Sequence, residues 1–207
     1  DGAVFIGIQN HEPIIEELIS SGFVIGLLDQ YIPGKNEPNR ILVNFDDETA
    51  EKAVDYLVSL GHKDIGIIHG DLKRYNGMQK YEGYLRGFNK HGLKIVDNWV
   101  GYTDFTVNKG YLEMKKILES SDRLPAAICC ANDNIAFGAM KAIFEANLKI
   151  PDDISVIGVD DHMLSSLIKP SLTTFKVDFT SMIKALTENV IKVIQKENHD
   201  QFIHIKF

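Results

Sequence analysis

The chain has 207 residues, with 22 Lys and Arg against 29 Asp and Glu, and a net charge of −7. That balance excludes a nucleic-acid surface on this stretch, because phosphate contact needs a clustered excess of Lys and Arg. At 44% hydrophobic and 25% charged it can bury a core without staples, and no stretch approaches the roughly 20 apolar residues of a membrane span.

In chain order, short apolar runs alternate with segments of helical spacing. Ala3–Ile8 is the first run, followed by a stripe of Ile14, Ile15, Leu18 and Ile19 that ends at Gly22. Phe23–Leu28 is the second, followed by Tyr31–Arg40, where Pro33, Gly34 and Pro38 predict an exposed loop. Ala50, Ala53, Val54, Leu57 and Val58 form the cleanest helical stripe and end at Gly61. Ile65–Ile68 is the third run; Tyr81, Tyr84, Leu85 and Phe88 follow it and end at Gly92. Tyr111, Met114, Ile117 and Leu118 make a further helix before the run Ala126–Cys130. Ala136, Ala139, Met140 and Ile143 separate that run from Ile154–Val159, and the last helix carries Ile183, Leu186, Val190, Val193 and Ile194.

The runs are too short for helices and lack polar alternation, as strands buried on both faces of a parallel sheet do. Their regular exchange with helices predicts a doubly wound α/β fold. Such a sheet binds ligands outside the carboxyl ends of its strands. The segments to search are therefore Gln9–His11, Asp29–Gln30, His69–Lys80, Ala131–Asn134 and Asp160–His162, which are rich in Asp, Asn, Gln and His.

Several chemistries lack their motifs. No glycine-rich nucleotide loop and no Gly-x-Ser-x-Gly elbow is present. The seven histidines fall into no metal-ligand spacing, so neither a metal nor a cofactor is expected. His62 follows a helix-closing glycine and reads as part of a cap; His11, His91, His199 and His204 read as surface or loop residues. The pairs Asp46–Asp47 and Asp152–Asp153 read as helix starts and turns. Cys129 and Cys130 are adjacent, so they point to opposite faces of a strand; two small buried residues is the simple reading, a vicinal redox switch the other. Reduced thiols suit the cytoplasm.

From Leu57 onward the chain carries a series of motifs in a fixed order and spacing. The residues that carry this are Leu57–Val58–Ser59–Leu60–Gly61–His62–Lys63–Asp64–Ile65, then Lys80–Tyr81–Glu82–Gly83–Tyr84. Pro125–Ala126–Ala127–Ile128–Cys129–Cys130–Ala131–Asn132–Asp133–Asn134–Ile135–Ala136 with Gly138–Ala139 come next. Ile150–Pro151–Asp152–Asp153–Ile154–Ser155–Val156–Ile157–Gly158–Val159–Asp160–Asp161 and Pro170–Ser171–Leu172–Thr173–Thr174 complete the order, which resembles the effector domains of the lac/galactose repressor family, and Asp1–Gly2–Ala3–Val4 resembles a strand of that family's first lobe.

The resemblance implies a two-lobed, periplasmic-binding-protein-like fold with parallel doubly wound sheets, the first lobe incomplete. It implies a first lobe of 1–44 plus 176–196 and a second of 45–175 plus 197–207, with the effector between them. It implies a sensor of a transcriptional regulator and not an enzyme: a homodimer in the family's manner, acting on operator DNA through an N-terminal headpiece absent from this chain. A periplasmic sugar-binding protein of a transport system shares the fold and is the alternative.

The implied effector is a pentose or hexose, with a phosphorylated sugar or a purine as further options. Hydroxyls call for planar, bidentate partners and sugar rings for an aromatic. By motif, Asn132 and Asp160 are the implied hydroxyl ligands, with Asp133 and Asp161 as weaker candidates. For Asn132 and Asp133 the alternative is capping the helix that starts there. Lys80 stands where the family has a forked arginine, and a lysine is a single-point donor. Its alternative is a solvated helix residue. Phe105 falls at the family's stacking aromatic, against a core position. Asn44 and Phe179 fall near cleft-lining positions, and Asp29 with Gln30 follows the second run.

Overall fold

The computed structural model describes residues 1–7, 12–30, 37–45, 48–120, 123–198 and 200–205. Gln9–His11, most of the Tyr31–Arg40 loop, the Asp46–Asp47 pair and His199 lie outside the described residues, as does the side chain of His204. The chain divides into two units: Asp1–Asp46, Lys73–Asn76 and Asp178–Phe207 form one, Asp47–Leu72 and Gly77–Val177 the other.

The first unit holds strands β1 (Gly2–Ile6), β2 (Val24–Leu28) and β3 (Arg40–Phe45) and helix α1 (Pro13–Ser20). Helix α6 (Phe179–Ile194) and strand β9 (Phe202–Ile205) return to it from the end of the chain. The sheet order is β1-β2-β3-β9, all parallel. Every residue of β2 is buried, as its unbroken apolar run requires of a central strand. Ile15 and Ile19 of α1 close over Ile25, Leu27 and Leu42. Strand β9 corrects the expected lobe division. It was placed with the second lobe, but Leu42 pairs with Phe202 and Val43 with Ile203, so it extends the first sheet. Lys73–Asn76 likewise joins the first unit.

The second unit holds α2 (Thr49–Ser59), β4 (Ile65–His69), α3 (Tyr75–Lys90, from Gly77 on), β5 (Val100–Tyr102) and α4 (Val107–Ser120). It continues with β6 (Ala127–Cys130), α5 (Asp133–Glu145), β7 (Ser155–Asp160) and β8 (Thr173–Lys176). Its five strands run parallel in the order β5-β4-β6-β7-β8. Ala50, Val54, Leu57, Tyr84 and Phe88 cover one face against Ile65, Ile67 and Cys129. Met114, Ile117, Ile135, Ala139 and Ile143 cover the other against Ile68, Ile128 and Cys130. The two cysteines thus enter different cores, one on each face of β6, and burial pushes both thiol pKa values up.

Helix ends follow from local chemistry. Gly22, Gly61 and Gly92 take φ of +84°, +94° and +62°, the left-handed turn that closes each preceding helix. After α2 the Gly61 N–H donates to Val58 O at 2.9 Å and the His62 N–H to Leu57 O at 3.1 Å, so the backbone of His62 makes the cap. The α4–α5 contact is set by Gly110 and Gly138. A Cβ on Gly138 would lie 2.0 Å from Val107 O, and one on Gly110 2.4 Å from Ile135 O, so the helices touch backbone to backbone.

Candidate functional site

The carboxyl ends of the second sheet gather polar and aromatic side chains. His69 ends β4, Tyr102 ends β5, Asn132 follows β6 and Asp160 ends β7. Helix α3 carries Lys80 and Tyr81.

Lys80 is only 4% exposed, and its Nζ donates to Thr49 Oγ1 at 3.4 Å. It is therefore a cation held inside the unit, not a solvated helix residue. Holding an ammonium out of water requires polar partners around it, and the Thr49 hydroxyl is one.

Asn132 has the capping geometry: its Oδ1 accepts from the Ile135 N–H at 2.9 Å at the start of α5, while Nδ2 donates to Phe105 O at 3.4 Å. Capping and ligand contact draw on the same amide, so the cap fixes the orientation of whatever the amide offers outward. Asp133 is turned inward: His162 N–H and the Ser165 and Thr174 hydroxyls all donate to it.

Phe105 is half-buried at φ +69°. Its backbone is held by a relay in which the Phe105 N–H donates to Thr103 Oγ1 at 3.2 Å and the Thr103 hydroxyl to His69 O at 3.0 Å. The ring lies across Gly70, where a Cβ would fall 1.9 Å from Cζ. One part of the ring packs on the core and the rest stays open.

Asp160 and Asp161 have φ of +120° and +57°. A non-glycine residue in such backbone costs about 1–3 kcal/mol and persists where its surroundings over-determine it, a condition concentrated at ligand sites. The Asp161 N–H donates to Thr174 Oγ1 at 3.3 Å.

Two residues at this edge, His69 and Tyr102, are not among the ligand candidates read from sequence, although His69 opens one of the segments searched. His69 is 5% exposed; its ring sits 4.7 Å from that of Tyr81 and 5.2 Å, edge-on, from that of Tyr102. Nδ1 lies 2.9 Å from Gly70 O and so carries the proton, leaving Nε2 as acceptor. Burial holds its pKa below the usual histidine range, against the opposing pull of the Gly70 carbonyl and Glu113. The Tyr102 hydroxyl donates to Asp71 Oδ1 at 2.8 Å. Position directly after the run Ile65–Ile68 was the signal available for His69; a three-residue strand gave none for Tyr102.

In the first unit, Asp29 and Asn44 stand at the carboxyl ends of β2 and β3. Asn44 is buried and spends its amide on the Gln30 backbone, accepting from N–H at 3.0 Å and donating to O at 2.8 Å. That pair of hydrogen bonds to Gln30 makes Asn44 a brace for the strand end beside Asp29, which sits at φ +59°. Phe179 is the first residue of α6 and is 41% exposed; Asp178 caps that helix by accepting from the Ser181 N–H at 3.0 Å.

What the second unit's edge can do is bind. It offers a buried cation, carboxylates, an oriented amide, an imidazole acceptor and aromatic faces. Among the described residues no group of three His, Cys, Asp or Glu is placed to hold a metal ion. Away from this edge, an apolar hollow of about 590 Å³ opens on α5 of the same unit, lined by Val107, Phe137, Met140, Phe144, Leu164 and Ile168, with Lys141, Lys169 and Glu145 at its rim.

The family model for a periplasmic binding protein-like domain matches residues 54–203. The chain is 42% identical over 139 residues to the HTH-type transcriptional repressor PurR of Pasteurella multocida, covering 67% of this chain and 41% of that one. It is 34% identical over 165 residues to the probable repressor ExuR of Bacillus subtilis, covering 76% and 49%. The chain thus spans under half the length of either relative. A regulatory protein of the LacI family from Chloroflexus aggregans superposes with a TM-score of 0.87 at 25% identity, over 100% of this chain and 73% of that one.

Proposed function

Because this chain belongs to the periplasmic-binding-protein-like domain family, as a LacI-family effector-binding domain, we propose that it senses a small polar effector on behalf of a longer DNA-binding regulator. The observation that carries this is the carboxyl edge of the second sheet: Asp160 ends β7, Asn132 follows β6 with its Nδ2 on Phe105 O, the Phe105 ring is half-buried, and α3 brings the buried cation Lys80. Asp29, Asn44 and Phe179 are the proposed contributors from the first unit.

A pentose or hexose fits the pairing of bidentate groups with an aromatic face; a phosphorylated sugar or a purine base are the other members of the panel. Effector binding alters operator affinity through different affinities for two conformational states of the regulator. Repressor relatives support this reading over a transport protein, and a cytoplasmic location goes with it. No helix of the described residues is long and apolar enough to cross a membrane.

The proposal includes a homodimer that uses the hollow on α5. A twofold contact must be self-complementary, and its rim supplies both signs in Lys141, Lys169 and Glu145. Sedimentation should show a dimer that Phe144→Glu dissociates; a monomeric wild-type regulator removes this part of the reading.

The test of the effector site is a thermal-shift panel of pentoses, hexoses, disaccharides, sugar phosphates and purine bases. A ligand that binds only the folded state raises the melting temperature. One compound should shift the wild type and leave a folded Asp160→Ala variant unshifted. A shift that survives in Asp160→Ala places the ligand elsewhere.

A further inference from the structure

Asp133 sits next to Asn132 in the sequence, yet its side chain is 1% exposed and turned into the unit. Both carboxylate oxygens are engaged. Oδ1 accepts from the Thr174 hydroxyl of β8 at 2.6 Å. Oδ2 accepts from the Ser165 hydroxyl at 2.7 Å and from the His162 N–H at 2.8 Å. Thr174 Oγ1 in turn accepts from the Asp161 N–H at 3.3 Å. Strand β7 passes against the carboxylate so closely that a Cβ on Gly158 would stand 2.2 Å from Oδ1. One buried group on α5 therefore binds β8 and the loop after β7 through bonds of the short, charge-assisted kind, with β7 packed against it at Gly158.

That loop opens with Asp160 and Asp161, both at positive φ. Backbone of this type needs surroundings that leave it no alternative. The Asp133 contacts supply them, since they fasten the loop at Asp161 (through Thr174), at His162 and at Ser165. The far end of the loop carries Leu164 and Ile168, which line the hollow on α5.

We propose that Asp133 is the positioning residue of the effector site: without touching ligand, it holds the Asp160 loop in its binding conformation and carries the same loop's apolar end onto the α5 face. The proposal rests on the reading of Asp160 as a ligand residue. It assigns to the buried carboxylate a role that neither a helix cap nor a hydroxyl ligand describes. It also makes Thr174 a relay, because one hydroxyl oxygen links Asp133 to the Asp161 amide.

The experiment compares wild type, Asp133→Ala, Thr174→Val and a core control, Met114→Ala, in the full-length regulator. Two readouts are taken: hydrogen exchange of the 161–165 amides, and calorimetric titration with whichever sugar or purine base of the panel shifts the wild type. Both loop variants should exchange at least tenfold faster at those amides, while β4 and β6 keep their protection. Asp133→Ala should bind at least tenfold more weakly. Met114→Ala should lose stability and keep its Kd within twofold, which separates positioning from a general loss of fold. If Asp133→Ala does not fold, Thr174→Val carries both readouts, with a smaller loss of affinity. Wild-type exchange in the loop, or an affinity loss no larger than that of Met114→Ala, overturns the proposal. A wild type that binds no panel compound, combined with faster loop exchange in both variants, sinks the ligand reading and leaves the loop-holding role standing.

Discussion

Replacing Gly138 by alanine sets two effects of opposite sign against each other. In a helix interior alanine is favoured over glycine by about 1 kcal/mol. At this position the added Cβ meets Val107 O at 2.0 Å and Tyr111 N at 2.4 Å, where ordinary contact begins at 3.4 Å. Both obstacles are backbone, so no side-chain rotation relieves them and α4 must draw back from α5 by more than about 1 Å. Overpacking of this kind costs about 1–3 kcal/mol, with backbone shifts at the upper end. Sterics therefore win over propensity by about 2 kcal/mol, or about 4–8 °C in Tm for a chain of this size. Trp99, the single tryptophan, packs in the same core as Met114 and Ile117, so its fluorescence follows the second unit alone. Urea titration read at Trp99 should show an earlier midpoint for Gly138→Ala. A variant as stable as wild type would refute the backbone-to-backbone account of this helix pair.

Lys80→Met keeps the volume of a buried side chain and removes its charge. It should leave the unfolding free energy from urea titration within about 1 kcal/mol of wild type and weaken effector binding about tenfold, the worth of one charged hydrogen bond; unchanged calorimetric affinity would leave Lys80 as a brace for Thr49. Burial lowers the pKa of His69, so the folded state disfavours its imidazolium, and the unfolded chain gains that proton first, near about pH 6.5. Its contribution is therefore full above that pH and is lost progressively below it, until pH has fallen through the lowered folded pKa, and His69→Gln should flatten the drop in urea midpoint as pH falls from about 7.5 to about 5.5. Cys129 and Cys130, with thiols pushed up by burial, should resist iodoacetamide at about pH 8.5 in the folded protein and react in urea; labelling of the folded chain would contradict their placement in two cores.

The elements readable from sequence were those whose environment is uniform. Val24–Leu28 and Ile65–His69 are buried along their whole length, so their composition announces them. Strand β3 was hidden by Arg40 and Asn44, polar residues that are both buried: Asn44 is satisfied by the Gln30 backbone, and Arg40 sits in the field of Glu16 and Glu37. Strand β8, half-exposed at the sheet edge, has no apolar run to show, and β5 is three residues long. At the site, spacing located Asn132 and Asp160 at strand ends but could not tell that Asp133 faces inward. That depends on Ser165 and Thr174, which the chain brings to it from more than thirty residues away. Lys80 reads as a surface residue in any sequence window, and only the packing around Thr49 makes it an interior one.

Strand β9 gives the first sheet a dependence on a segment made long after the strand it pairs with. β3 is synthesised early, but its outer hydrogen-bonding edge waits for Phe202–Ile205, with the whole second unit made in between. Domains generally fold as units in the order they leave the ribosome, and pairings distant in sequence form late because loop closure must be offset first. The second unit draws on two nearby stretches and can complete itself while the first still presents an open strand edge, the kind of surface that pairs with other chains. The exposure of that edge during synthesis makes the first unit the one in greater need of chaperone cover, and the one that loss of Phe202–Ile205 would damage.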